Sequence, residues 1–371
     1  MVILLVLLVS IVFQGLPALS YGFLTQAPGP DPISAGIGPA LQGTVWVCAV
    51  CALICLPLGI GTAIFLEEYQ PRNLWLRRLS ALLQLNINNL AGVPSIVYGI
   101  LGLTAFSLMF GLLGSEAEPF TETGANYRRQ FITEGGGEEG QGEVVFIPVA
   151  SRDEVLELTQ GMEAVDGNGN PVELNIIGPD DDFPEDDETL ARSLLSDSEG
   201  AIVKDYRWYY FRLPFGKGVL AASLTLMLVI LPVIIISTQE ALRAVPPSLK
   251  RAAEGLGCTP WQVIRHVSLP AAIPGIMTGA ILAISRAIGE AAPILMIGVA
   301  VYIARGPAHL MDKFSILPIQ IYYWAQQPIN ADADLNFQHI AAGGIIVLLI
   351  ILFAFNSIAV LIRQLAQKRL T

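Results

Sequence analysis

Long apolar runs alternate with short polar breaks along most of this chain, and the lengths of the runs set the first expectation. Five stretches reach the ~20 residues needed to cross a hydrocarbon core: 1–19, 41–66, 89–113, 219–237 and 340–362. A sixth, 271–304, is apolar apart from Arg286 and Glu290. The pattern predicts an all-α membrane protein with six transmembrane helices. Residues 1–113 hold helices 1–3, and 217–371 hold helices 4–6.

Residues 114–216 break the plan. There 143–149 alternates as a strand does, 152–159 has the pattern of a short helix, and 162–177 reads as a hairpin turning at Gly167-Asn168-Gly169-Asn170. A small α+β insertion is expected. Asp166 begins a run resembling a calcium loop, but Pro171 stands where that loop needs glycine and Ile177 where it needs a bidentate glutamate, so a plain turn is expected. The run 180–188, with seven acids among nine residues, reads as a solvated loop. A contact for a substrate-delivering protein and a weak cation site are its functional alternatives.

Composition makes the bilayer the solvent. With 53% hydrophobic residues, 14% charged and a mean hydropathy of +0.58, the chain is too apolar for a water-soluble fold of this length. The net charge of −11 is local. Residues 114–217 carry 23 acids and 8 bases, while the rest carries 9 acids and 13 bases. That distribution gives no basis for a nucleic-acid partner. Lys and Arg in short loops mark the cytoplasmic side, which places Arg72, Arg77 and Arg78, then Arg243, Lys250, Arg251 and Arg265, then Arg363, Lys368 and Arg369 inside. Both termini are then cytoplasmic and the insertion extracytoplasmic.

The first run lacks a basic stretch ahead of its apolar core, so an uncleaved span is expected rather than a signal peptide. Cys48, Cys51 and Cys55 share one face of an apolar helix and read as small packing residues. Their C-x-x-C has no second ligand pair, so zinc is not expected. Cys258 stands alone, and no disulfide framework follows.

Two polar features carry chemistry. The first is 251–270, RAAEGLGCTPWQVIRHVSLP, a glycine-broken segment between apolar runs within a loop spanning 240–270. Gly257 suits a left-handed helix end; Thr259, Pro260 and Gln262 form an N-cap, an N1 proline and a capping box. Two short, ordered helices are expected. The second is Arg286 with Glu290. A charge at that depth costs at least ~2.5 kcal/mol on insertion scales, so the arginine must face protein or water, and a spacing of four puts the two on one helical face. Either they form a self-neutralising packing pair, or Arg286 lines a permeation path and offers its planar fork to an oxyanion while Glu290 holds it in the empty state. Gly275, Gly279, Ala283, Ala287 and Gly289 add a small-residue pattern suited to close helix packing.

The 251–270 segment resembles the "EAA" loop of ABC-importer permease subunits, with Ala252, Ala253, Gly257, Leu269 and Pro270 at the family's positions and Arg251 where the family has glutamate. The run from Asn89 through Gly92-Val93-Pro94-Ser95 to Leu103, the Arg286-Ala287-Ile288-Gly289-Glu290 motif, and Thr25-Gln26-Ala27-Pro28 ahead of Gly36-Ile37-Gly38-Pro39 resemble the phosphate-specific, PstA-like subfamily. The resemblance covers nearly all of the chain outside 114–216. It implies the type I importer permease fold, a place in a bacterial plasma (inner) membrane, and a coupling loop, Arg251 to Pro270, that docks on an ATPase. It also implies a passage role for Arg286 and Glu290. The partners it implies are a second homologous permease subunit, an ATPase dimer and an extracytoplasmic phosphate-binding protein.

No G-x-x-x-x-G-K-[ST] motif is present, and Phe215-Gly216-Lys217-Gly218 lacks its first glycine and its hydroxyl. The chain is therefore expected to bind no cofactor and to catalyse nothing itself, with ATP held by the partner. A permease for sulfate or molybdate is the nearest alternative. An ion-coupled secondary transporter or membrane sensor is the alternative of another class.

Overall fold

The computed structural model describes residues 2–69, 73–112, 121–133, 143–149, 201–299, 302–328 and 335–368. It divides into two units. One comprises Met1–Glu116, Pro214–Pro307 and Lys313–Thr371, and the other Ala117–Leu213 with Ala308–Asp312.

The first unit is helical. Helices α1 (Val2–Gly15), α2 (Tyr21–Thr25), α3 (Gly38–Glu68), α4 (Leu74–Leu90) and α5 (Ser95–Gly102) precede the second unit. After it come α6 (Val219–Arg243), α7 (Pro247–Gly255), α8 (Pro260–Val263), α9 (Leu269–Gly289), α10 (Ala292–Ile297), α11 (Leu317–Ala325) and α12 (Phe337–Lys368). Helix α6 lies at the centre: α3, α5 and α9 all pack on it. Its core includes Leu226, Ile230 and Ile234, packed with Val47, Cys51 and Cys55 of α3 and Ala283 and Ala287 of α9. The three cysteines expected to be packing residues are indeed buried there. A second cluster, around Trp324, Leu317 and Ile340, joins α11 to α12 and the N-terminal segment.

Close approach depends on missing side chains. A Cβ on Gly279 would run into Ser237 of α6, and one on Gly275 would lie 2.7 Å from the Ala241 methyl. The G-x-x-x-G of α9 is thus a contact stripe against α6, as small residues allow.

The expected count of six spans is not reproduced among the described residues. Four helical stretches are long and apolar enough to cross a membrane, Gly38–Glu68, Val219–Arg243, Pro260–Gly289 and Phe337–Ser357. A fifth is reached if Leu74–Leu90 and Ser95–Ser107 form one span bent by 111°. Three expected runs differ for local reasons. The first forms only 14 residues of α-helix before a 3-10 turn containing Pro17. The third breaks at Ala91–Pro94, because proline has no N–H to donate and disfavours helical geometry in the residue before it. The run 271–304 stops at Gly289, where Glu290 turns extended (φ −84°, ψ 106°), and resumes as the short α10 with Pro293 in its first turn.

The second unit holds a three-stranded antiparallel sheet in the order β2-β1-β3: β1 (Thr121–Thr133), β2 (Glu143–Val149) and β3 (Ala201–Leu213). Strand β2 coincides with the alternating stretch in the sequence. The expected helix 152–159, the hairpin 162–177 and the acidic run 180–188 lie outside the described residues. In the same unit Tyr210 of β3 meets the His309 ring edge-on at 5.1 Å. Nε2 of His309 stands 2.8 Å from Oδ1 of Asp312, while Asp312 Oδ2 accepts the backbone N–H groups of His309 (2.9 Å) and Ala308.

Candidate substrate path and docking loop

Two interrupted helices meet at the candidate path. Gly99 of α5 lies so close to α10 that a Cβ there would be 2.8 Å from Pro293 and from Met296. The segment after the first break therefore packs on the segment after the second. Helices broken inside a bundle free backbone groups and expose helix termini to a cavity, which is how transporter sites are commonly built.

Arg286 occupies the last turn of α9, where the carbonyl end of a helix favours a cation. Its Nε lies 3.6 Å from Oε2 of Glu290, with the arginine side chain 50% exposed and the glutamate 17%. Among the described residues Glu290 is the one carboxylate paired with it. The spacing of four is realised as a pair: Glu290 is the C-cap residue of α9, one position past Gly289, and its carboxylate lies beside the Arg286 guanidinium. At 3.6 Å the contact is longer than the ~2.7–2.9 Å of a charge-assisted hydrogen bond. The guanidinium is held in place without being used up. One residue away, Ser285 hydrogen-bonds to the carbonyl of Ile281 and to Oδ1 of Asn356 on α12, which anchors this turn of α9 to a neighbour. Among the described residues nothing lies within 4 Å of where a Cβ on Gly289 would stand. Asn356 had no local signal in the sequence, since it lies inside an apolar run 71 residues away.

The loop between α6 and α9 has the geometry its residues specify. Gly257 adopts φ +87°; its N–H reaches the Glu254 carbonyl (2.9 Å) and that of Cys258 the Ala253 carbonyl (3.1 Å), the paired closure of a Schellman end. Thr259 and Gln262 then exchange capping bonds at 3.4 and 2.8 Å. Of the residues expected to dock, Arg251, Ala252 and Gly257 are exposed and Leu269 and Pro270 are half-buried, whereas Ala253 is 7% exposed and turns inward beneath the loop. The loop also presents Leu256 (86% exposed), Trp261 and Leu249 to its surroundings. Sequence reasoning missed these three, although large apolar side chains in an otherwise polar connection were the available signal.

Comparison with known proteins decides the class. Residues 55–371 match the family described as binding-protein-dependent transport system inner membrane component. The chain belongs to that family. As a member of this permease family it is a multi-pass membrane component of an ABC importer and is not catalytic by itself. Among its relatives, a phosphate transport system permease protein PstC of Mesorhizobium japonicum is 28% identical over 351 residues, covering 94% of this chain and 79% of the relative. Phosphate transport system permease protein PstA 1 of Mycobacterium tuberculosis (strain H37Rv) is 25% identical over 341 residues, covering 92% and 73%. Among solved structures, the inward-facing MetNI methionine ABC transporter aligns with a TM-score of 0.47 at 14% identity, covering 88% of this chain and 96% of its own.

Proposed function

We propose that this permease passes inorganic phosphate through a bacterial inner membrane by alternating access. It would act beside a second permease subunit, an ATPase pair docked on the 240–270 loop, and an extracytoplasmic phosphate-binding protein, with both termini cytoplasmic. The observation that carries the reading is the half-exposed Arg286 guanidinium, loosely held by Glu290 at a helix break. Relatives named as phosphate permeases support the choice of cargo.

A planar guanidinium fits the paired oxygens of phosphate bidentately. In the empty state Glu290 balances its charge, and an arriving oxyanion replaces that carboxylate. The exchange limits net affinity, so cargo bound on one side can leave on the other. ATP supplies the differential energy between the outward and inward states, as any population shift requires. The stiff, capped loop from Arg251 to Pro270 delivers that energy as a displacement.

The test is labelled phosphate uptake into liposomes holding the reconstituted complex, with unlabelled oxyanions as competitors. Competition by arsenate, which shares phosphate's shape and charge, supports the reading. Competition by sulfate or molybdate, with arsenate ineffective, overturns it in favour of another oxyanion.

A further inference from the structure

Two consecutive carboxylates close the last turn of α3, where the helix's own carbonyls already concentrate negative charge. Glu67 and Glu68 are thus placed against the local dipole, and each is met by a base from the docking side. Arg243, ending α6, forks onto Glu67 with Nη2–Oε2 at 2.8 Å and Nε–Oε1 at 2.9 Å. Lys250, inside α7, puts Nζ 2.7 Å from Oε1 of Glu68. The arginine of the first pair is 60% exposed, so solvent screens it. The second pair is shielded, with Lys250 25% and Glu68 10% exposed. Behind them Ile60 and Ile64 of α3 pack on Leu242, Val245, Ala272 and Ile276, which flank the loop on both sides.

The opposite end of α3 is also fastened. Thr44 Oγ1 accepts the N–H of Leu317 at 2.9 Å, and Gly43 lies against the Ser315 carbonyl with no room for a methyl group. Helix α3 therefore runs ~47 Å at 1.5 Å per residue over its 31 residues, between the docking loop and the segment that leads into α11.

We infer that Glu68 is a positioning residue for transport: through Lys250 it makes α3 move with the docking loop, so that displacement of the loop reaches the Thr44–Leu317 contact. This rests on the reading of 240–270 as the ATPase-docking loop.

The test uses the full complex in liposomes, measuring labelled phosphate uptake, ATP hydrolysis, and the ATP-dependent signal of a nitroxide placed by Val45→Cys, an exposed α3 position, in a Cys258→Ser background. Glu68→Gln and Lys250→Gln should each lower phosphate moved per ATP by at least about threefold while the ATPase stays attached. They should also remove the nitroxide response. The exchange Glu68→Lys with Lys250→Glu should recover both to within about twofold of the parent. A purely structural pair would instead lower yield and all activities together, without rescue by the exchange. Parental coupling in either single variant, or an exchange no better than the singles, overturns the inference. The nitroxide response needs no cargo: a parent complex that responds to ATP but moves no phosphate overturns the phosphate reading and leaves the tether to be judged by the variants. A parent from which the ATPase detaches, or which gives no response to ATP, overturns the tether itself.

Discussion

Arg286 and Glu290 face each other across the end of a helix, and the contact between them is long at 3.6 Å. The arginine is half-exposed and the contact is long, so a replacement that keeps the positive charge should leave the fold intact. Arg286→Lys keeps the charge and loses the fork. It should retain assembly and raise the KM for phosphate at least about tenfold, because one bidentate hydrogen-bonded contact becomes a point charge.

Glu290→Gln should act in the other direction. Without the competing carboxylate the guanidinium is open to the oxyanion, so KM should fall while kcat falls with it, as product is retained. Equilibrium binding and single-turnover uptake measured together separate these effects. A change in KM alone would argue against exchange between carboxylate and cargo.

Leu256 is the most exposed apolar side chain of the loop between α6 and α9. Seating it in a groove on the ATPase would contribute ~1.5–3 kcal/mol, so Leu256→Asp should weaken copurification of that partner by about tenfold or more. Arg251→Glu, by contrast, should be tolerated, since the residue is exposed on α7 and its Nε donates to the Pro247 carbonyl of its own helix.

Gly257 is constrained by backbone and not by crowding. Among the described residues nothing lies near the position a Cβ would take, but φ is +87°. Gly257→Ala should therefore cost ~1–2 kcal/mol through left-handed strain. Gly257→Asn should cost less. Proteolysis rates across residues 256–259 would rank the three.

Asp312 gives the second unit a pH dependence. Burial alone would raise its carboxyl, but hydrogen bonds from His309 and from the backbone N–H groups of His309 and Ala308 hold it below the usual carboxylate range. A group lowered in the folded state stabilises above its unfolded value, near pH ~4, and that contribution fades as the pH falls through the folded value. Asp312→Asn should lower the thermal midpoint of the unit at pH 7. The difference should shrink on acidification below pH ~4.

Features set by a few neighbouring residues were legible in the sequence. Gly257, Thr259 and Gln262 specify their caps locally, and the strand at Glu143–Val149 follows from alternation. The helix break at Ala91–Pro94 was obscured because Gly92 and Pro94 sit inside a run whose hydropathy is uninterrupted, and hydropathy measures composition rather than backbone hydrogen bonding. The exchange of amide hydrogen bonds between Gln84 and Gln239, at 2.7 and 3.1 Å, and the pairing of Lys250 with Glu68 join residues 155 and 182 positions apart. No local pattern encodes such contacts. Ala253, 7% exposed, shows a related limit: a motif identifies a loop, whereas the side a residue faces depends on the helices packed beneath it.

The central claim is that the Arg286 guanidinium contacts the cargo during passage. ATP-driven uptake of labelled phosphate, compared between the parent complex and Arg286→Ala at matched ATPase content, tests it directly. The account predicts uptake at background in the variant with the complex still assembled; uptake at the parental rate would contradict it.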